Sequence, residues 1–102
     1  MSTETKIIKP NQENLQEFIQ NLQQYSNYNV VVDLSEKSDA KIADLKLFSD
    51  ISKTQSKRKK SLVLVVKNVN FNTLPKSIIA VPTLQEAHDI IEMDEIERDL
   101  GF

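Results

Sequence analysis

A cluster of basic side chains near the middle of this chain could bind anionic groups. The run Lys57-Arg58-Lys59-Lys60 follows Lys53 by one helical turn. Such a cluster can contact phosphate groups or an acidic partner. No aromatic residue interleaves the run, so stacking on single-stranded nucleic acid is not indicated. The alternative interpretation is structural, because cations stabilise the C-terminus of a helix.

The end of the chain is acidic and carries an apolar strip. From residue 86 onward, Arg98 stands against seven carboxylates: Glu86, Asp89, Glu92, Asp94, Glu95, Glu97 and Asp99. The strip consists of Ile90, Met93, Ile96, Leu100 and Phe102. Either it covers the domain's own sheet, or a terminal amphipathic helix lies in a groove of a partner or exchanges between two copies as a homodimer. We treat residues 94–102 as an acidic amphipathic tail.

Groups that catalysis or metal binding would require are scarce. His88 is the single histidine and there is no Cys, so zinc has almost no ligands available. A general base at His88 would need a nucleophile within reach, and the sequence offers none. The one glycine is Gly101, which excludes Gly-rich phosphate loops. We expect no enzyme activity, no metal and no cofactor.

Two carboxylates could form a pair at the edge where open α/β sheets bind ligands. Asp33 ends a predicted strand and Asp39 stands near a predicted helix start. The structural interpretation is that Asp33 hydrogen-bonds its own loop.

The size and composition of the chain narrow the class of protein. A chain of 102 residues suits one domain, residues 1–102, and its net charge of -2 argues against nucleic-acid binding driven by overall charge. No apolar run approaches the ~20 residues that cross a bilayer. The first six residues show no signal sequence, and the lack of Cys fits a reducing compartment. We therefore expect a cytoplasmic protein that does not enter a membrane.

Apolar patterning predicts the elements that position these groups. The predicted strands are residues 5–9, 29–34, 61–66 and 78–81, and the two central ones are almost unbroken apolar runs. The order strand, helix, strand, helix, strand, short strand, helix predicts an α/β fold with a small, mostly parallel or mixed sheet of about four strands, on which the helices pack.

Three amphipathic helices are predicted. The first has Asn11 as its cap and buries Leu15, Phe18, Ile19 and Leu22. The second has Ser38 or Asp39 as its cap and buries residues at three-residue steps: Ile42, Leu45, Phe48 and Ile51. The third opens with the capping-box spacing of Thr83 and Glu86. Its inner face is predicted to hold Ala87, Ile90 and Ile91 and to run on through Met93, Ile96 and Leu100.

Three segments resemble the STAS domain, the fold of anti-sigma factor antagonists. Val30-Val31-Val32-Asp33-Leu34-Ser35 is similar to the family's Asp-Leu-Ser strand end, and Leu62-Val63-Leu64-Val65 to its next strand. Thr83 with Glu86-Ala87 is similar to the start of its last helix. The resemblance covers nearly the whole chain and implies a STAS-like topology and a regulatory protein that binds a partner protein.

Switchable STAS domains carry an Asp-Ser-Ser-Gly-Leu motif in which one Ser is phosphorylated. In register with Asp33-Leu34-Ser35 and Leu45, this chain has Lys41-Ile42-Ala43-Asp44 in place of Asp-Ser-Ser-Gly. The phosphorylated Ser has no counterpart. Ser38 lies nearby and can take a phosphate in principle, although a helix cap is the ordinary use of such a residue.

The C-terminal sequence, residues 81–87 and 91–102, resembles the ending of small bacterial STAS-like proteins that are sometimes labelled ribonuclease Z. A zinc phosphodiesterase needs several His and Asp ligands for two metal ions, and this chain has His88 alone. The resemblance therefore does not imply that activity.

Taken together, these patterns predict a non-catalytic protein-interaction module without the usual phosphoswitch. Its expected partner-binding residues are Ser38, Asp39, Lys41, Asp44, Met93, Ile96, Leu100 and Phe102. The alternative hypothesis is an accessory protein of an RNA-processing nuclease, or an RNA-binding module, that uses residues 57–60.

Overall fold

The computed structural model describes residues 4–10, 14–36, 41–67 and 69–101. Four strands lie in this part of the chain: β1 (Thr5–Ile8), β2 (Asn29–Asp33), β3 (Leu62–Val65) and β4 (Ile79–Val81). The α-helices are α1 (Leu15–Asn21), α2 (Ile42–Lys46), α3 (Ser49–Lys57) and α4 (Leu84–Asp99). Two 3-10 segments, Leu22–Tyr25 and Phe71–Thr73, complete the order. The predicted α/β class is confirmed.

All four strands are parallel and lie in the order β1-β2-β3-β4. The sheet is therefore parallel throughout rather than mixed. β1 is an edge strand, since it pairs with β2 alone in the described sheet. Every residue of β2 and β3 is buried, which explains why both strands read as unbroken apolar runs.

Alternation along the central strands supplies two separate cores. The first core contains Val30 and Val32 of β2 and Leu34, which follows the strand directly. Phe18 of α1, Leu45 of α2 and Phe48 between α2 and α3 belong to the same core. The opposite side chains, Val31 of β2 with Val63 and Val65 of β3, join a second core with Ala87 and Ile91 of α4. The α1, α2 and α3 helices thus cover one face of the sheet, and α4 covers the other.

One predicted helix is in fact two. The face through Ile42, Leu45, Phe48 and Ile51 is buried or half-buried as expected, but the helix breaks between α2 and α3. At the break, Leu47 N–H donates to Asp44 C=O at 3.2 Å and Phe48 N–H donates to Leu45 C=O at 3.1 Å. These are the tighter i to i+3 bonds of a 3-10 turn, whose three-residue repeat matches the observed apolar spacing.

The first two predicted helices begin later in the chain than their predicted caps. Asn14 caps α1, because its Oδ1 accepts from the N–H groups of Gln16 and Glu17 at 3.0 and 3.3 Å. Lys41 occupies the cap position of α2, and its own N–H donates to the Asp44 carboxylate at 3.1 Å. The residues predicted as caps, Asn11, Ser38 and Asp39, lie outside the described residues. The predicted Thr83 cap of α4 is confirmed by its bond from Glu86 N–H at 3.1 Å.

The end of α3 contains a residue in left-handed backbone conformation. Lys59 has a φ of 61°. Its N–H donates to Ser56 C=O at 3.0 Å, and Lys60 N–H donates to Gln55 C=O at 2.9 Å. This bond pair is a Schellman motif, whose left-handed position is usually Gly because a Cβ is unfavourable there.

We predict that Lys59→Gly raises the free energy of unfolding by about 0.5–1 kcal/mol, since relief of the Cβ outweighs the added freedom of the unfolded chain. Urea unfolding measures the change. The matched control is Lys53→Gly inside α3, which should instead lower stability by about 1 kcal/mol. A Lys59→Gly variant less stable than the parent would contradict the assigned conformation.

Candidate functional site

The residues predicted to bind a partner fall on opposite sides of the sheet. Lys41 and Asp44 lie at the start of α2, on the face of the first core. Met93, Ile96 and Leu100 lie on α4 or at its end, beyond the second core. Ser38, Asp39 and Phe102 were predicted with them but lie outside the described residues. The structure therefore does not bring the described groups together into one surface, and the Lys41–Asp44 bond serves to start α2.

The apolar residues of α4 occupy two faces of the helix. Ala87 and Ile91, four residues apart, are 0% and 4% exposed and face the sheet. Met93, Ile96 and Leu100 are 60%, 52% and 66% exposed. Their i, i+3, i+7 spacing places them together, about half a helical turn from the buried pair. The predicted inner face is thus wrong for these three residues, because the helix can turn only one face to the sheet.

Hydrogen bonds hold the second half of α4 against the start of β2 and β3. Asn29 Nδ2 donates to a Glu95 carboxylate oxygen at 2.7 Å, and Asn29 Oδ1 accepts from Ser61 N–H at 2.8 Å. Ser61 Oγ donates to Asp94 Oδ2 at 2.8 Å and accepts from Arg98 Nη2 at 3.1 Å. Asn29 and Ser61 are buried, so their polar groups depend on these partners.

This network changes the interpretation of the acidic tail. Asp94, Glu95 and Arg98 lie within the span predicted as a tail, yet each binds the strand starts of its own domain. The helix continues without a break to Asp99. Residues 94–99 are therefore part of the domain body, while the exposed apolar residues on the opposite side of the same helix have no cover within the described chain. We call Met93, Ile96 and Leu100 the outer stripe.

Carboxylates border the outer stripe. Asp89, Glu92, Glu97 and Asp99 are all exposed on α4. Arg98 is the one Lys or Arg of this helix, and it points toward Ser61 instead. The outer side of α4 is consequently an apolar stripe within an acidic field.

Asp33 serves the turn that follows β2. Its Oδ1 accepts from the Ser35 hydroxyl at 2.6 Å and from Ser35 N–H at 3.0 Å. Burial alone would raise the pKa of the Asp33 carboxyl, but the two Ser35 hydrogen bonds, aided by Lys9 and Lys67, outweigh burial and lower it. Asp39, its suggested partner in a carboxylate pair, lies outside the described residues. The Asp33 geometry is that of a loop-stabilising residue.

Lys57 and Lys60 of the basic run line a cavity together with residues that lie far from them in sequence. Lys76, in the turn before β4, and Arg98 of α4 line the same space as Lys53, Lys57 and Lys60. Sequence reasoning missed this grouping. No local signal marks it, because the three segments meet only when the sheet forms.

Groups that would support metal chemistry are not assembled in the described ranges. His88 is exposed on α4. Among residues 4–10, 14–36, 41–67 and 69–101, no three His, Cys, Asp or Glu side chains are placed to hold a metal ion. In the same ranges, no helix has both the length and the apolar character that crossing a bilayer requires.

No protein-family model matches the chain, and no curated protein matches it. The geometry of the side chains is therefore the basis for the functional argument.

We predict that Asn29→Ala lowers the free energy of unfolding by about 2–3 kcal/mol, because the buried Ser61 N–H and the Glu95 carboxylate both lose a partner. Urea unfolding measures the loss, and hydrogen exchange should show faster exchange in the second half of α4. Asn70→Ala, which removes an exposed bond to Asn72 N–H, is the control and should have a smaller effect. Equal effects would show that the network does not hold α4.

We predict that Ser35→Ala lowers stability by about 1 kcal/mol at pH 7. A lowered folded-state pKa stabilises the fold above the ordinary value of 3.8, and this contribution is lost as the pH falls through the folded pKa. The difference between Ser35→Ala and the parent should therefore shrink in strong acid. Urea unfolding at pH 7 and at a series of pH values below 3.8 measures it, with the exposed Ser56→Ala as control. A difference that is constant with pH would contradict the role of the hydroxyl.

Proposed function

We propose that this protein is a non-catalytic interaction module of STAS type, which binds a partner protein through the outer stripe of α4. The observation that carries the proposal is the exposure of Met93, Ile96 and Leu100 on a helix whose opposite face already fills the second core. Apolar side chains at this spacing are the usual anchors of one helix on another or in a groove.

The acidic border indicates the chemistry of the partner. Exposed carboxylates flank the stripe, and a second copy of the same face would bring carboxylate against carboxylate. A partner segment with apolar residues between Lys and Arg side chains would instead gain charge complementarity. We therefore favour a basic amphipathic segment over a homodimer formed through this stripe.

The start of α2 gives no support to a phosphorylation switch at the family's position. Lys41 and Asp44 stand there, and their hydrogen bond serves the helix start. Our proposal is accordingly a regulatory module that presents a constant surface to its partner. The resemblance to STAS domains supports the regulatory role.

We expect the double variant Ile96→Ser/Leu100→Ser to bind its partner at least about tenfold more weakly, since central apolar anchors carry most of the binding energy. The measurement is photo-crosslinking from position 93 in cell extract, followed by identification of the crosslinked segment and titration of that segment against both proteins. Substitution is preferable to truncation, because deleting residues 94–102 would also remove Asp94, Glu95 and Arg98 from the buried network.

The control is Ile7→Ser/Leu47→Ser, which removes two exposed apolar residues that do not belong to α4 or to the outer stripe and should leave binding unchanged. The proposal fails if the α4 double variant retains full affinity. It also fails if light scattering shows a dimer that the double variant alone disrupts, since the stripe would then belong to a second copy.

A further inference from the structure

A cavity of about 380 Å³ opens at the amino-terminal edge of β3 and β4, on the side of the molecule away from the Asp33 turn. Five cationic side chains line it: Lys53, Lys57, Lys60, Lys76 and Arg98. Asp94 is the one carboxylate among its described lining residues. Its volume is at the lower end of the roughly 300–1,000 Å³ typical of small-molecule pockets.

Hydrogen bonds hold the walls of this cavity in place. Ser49 Oγ and Ser77 Oγ are 2.7 Å apart, and Ser52 Oγ donates to Ser77 C=O at 2.6 Å, which ties α3 to the turn that carries Lys76. On the other wall, Ser61 Oγ bridges Asp94 and Arg98. The cationic groups are thus presented from anchored elements.

The lining also contains four serines, Ser52, Ser56, Ser61 and Ser77. The hydroxyl protons of Ser52 and Ser61 are already donated within the walls, to Ser77 C=O and to Asp94. The cationic side chains are therefore the main donors that the cavity offers to the acceptor oxygens of a phosphate group.

The helix dipole accounts for only part of this arrangement. A helix C-terminus attracts cations within its last turn, which explains Lys57 of α3. Lys76 and Arg98 come from a turn and from α4, so the end of α3 does not account for them. Within the described part of the chain, Lys53, Lys57 and Lys76 form no ion pair. Five cations converge on this cavity with Asp94 as the one carboxylate among the described lining residues, so their mutual repulsion is only partly offset, and a bound anion would relieve it.

We propose that this cavity binds a compact, multiply charged phosphate-bearing small molecule. The cations line one half-open cavity, whereas a nucleic-acid backbone would require an extended cationic track. Among the residues that the structure describes, no aromatic side chain lines the cavity for base stacking, and the adjoining pocket contains the Glu97 carboxylate. The site lies apart from the outer stripe, so it does not depend on the proposed partner binding.

The test is isothermal titration of the full chain with inorganic tripolyphosphate at about 0.15 M salt, where exposed charges are largely screened beyond about 8 Å. Two pocket variants, Lys53→Gln/Lys76→Gln and Lys57→Gln/Lys76→Gln, should each bind at least about tenfold more weakly, because each loses charge-assisted hydrogen bonds. The matched control, Lys46→Gln/Lys67→Gln, removes the same charge from exposed positions outside the cavity and should bind as the parent does. Circular dichroism checks that each variant is folded, and two pocket pairs are used so that misfolding of one leaves the other informative.

Three results would overturn the proposal. The parent protein could fail to bind tripolyphosphate, or the control pair could lose as much affinity as the pocket pairs, which would reduce binding to general charge attraction. The third result would come from adding a single-stranded RNA of about ten nucleotides. If the RNA binds through the same lysines and tripolyphosphate does not displace it, the cavity belongs to nucleic acid.

Discussion

Strand order in a parallel sheet decides which face each connection covers, and this constraint shapes the whole molecule. Connections of one hand between neighbouring strands in sequential order all pass over the same face. Here α1, α2 and α3 pack over the first core, and the opposite face is left to the helix that follows the last strand. One helix, α4, must therefore close the second core by itself.

Closing the second core determines which residues of α4 face the sheet. Ala87 and Ile91 fill the apolar centre of the second core, while Asp94 and Arg98 continue the same face over the strand starts. The buried amide of Asn29 gives the helix a polar partner where the strands begin. The inner face of α4 is occupied by these contacts. The outer stripe on the opposite face therefore belongs to neither core.

The same helix separates two fields of charge that the net charge of the chain conceals. Four carboxylates of α4, those of Asp89, Glu92, Glu97 and Asp99, are exposed, whereas Arg98 turns inward with Asp94 and lines the cavity with the lysines of α3 and Lys76. The two surfaces are chemically opposite, although the sum over the sequence is only -2. A basic amphipathic partner would bind at the outer stripe, and an anionic ligand would bind in the cationic cavity on a different side of the domain.

Local patterns were enough to predict the α/β class, the four strands and the apolar faces of the first helices, because burial of β2 and the 3.6-residue period of α1 depend on near neighbours in sequence. They placed two helix caps too early and missed the break between α2 and α3. The 3-10 turn at Leu47 keeps a three-residue apolar spacing, which differs little from the spacing of a continuous α-helix. The candidate sites needed the tertiary structure. Helical spacing groups Met93 with Ile96 and Leu100, but only packing on the sheet decides which face turns inward, and only strand order brings Lys53, Lys76 and Arg98 to one cavity.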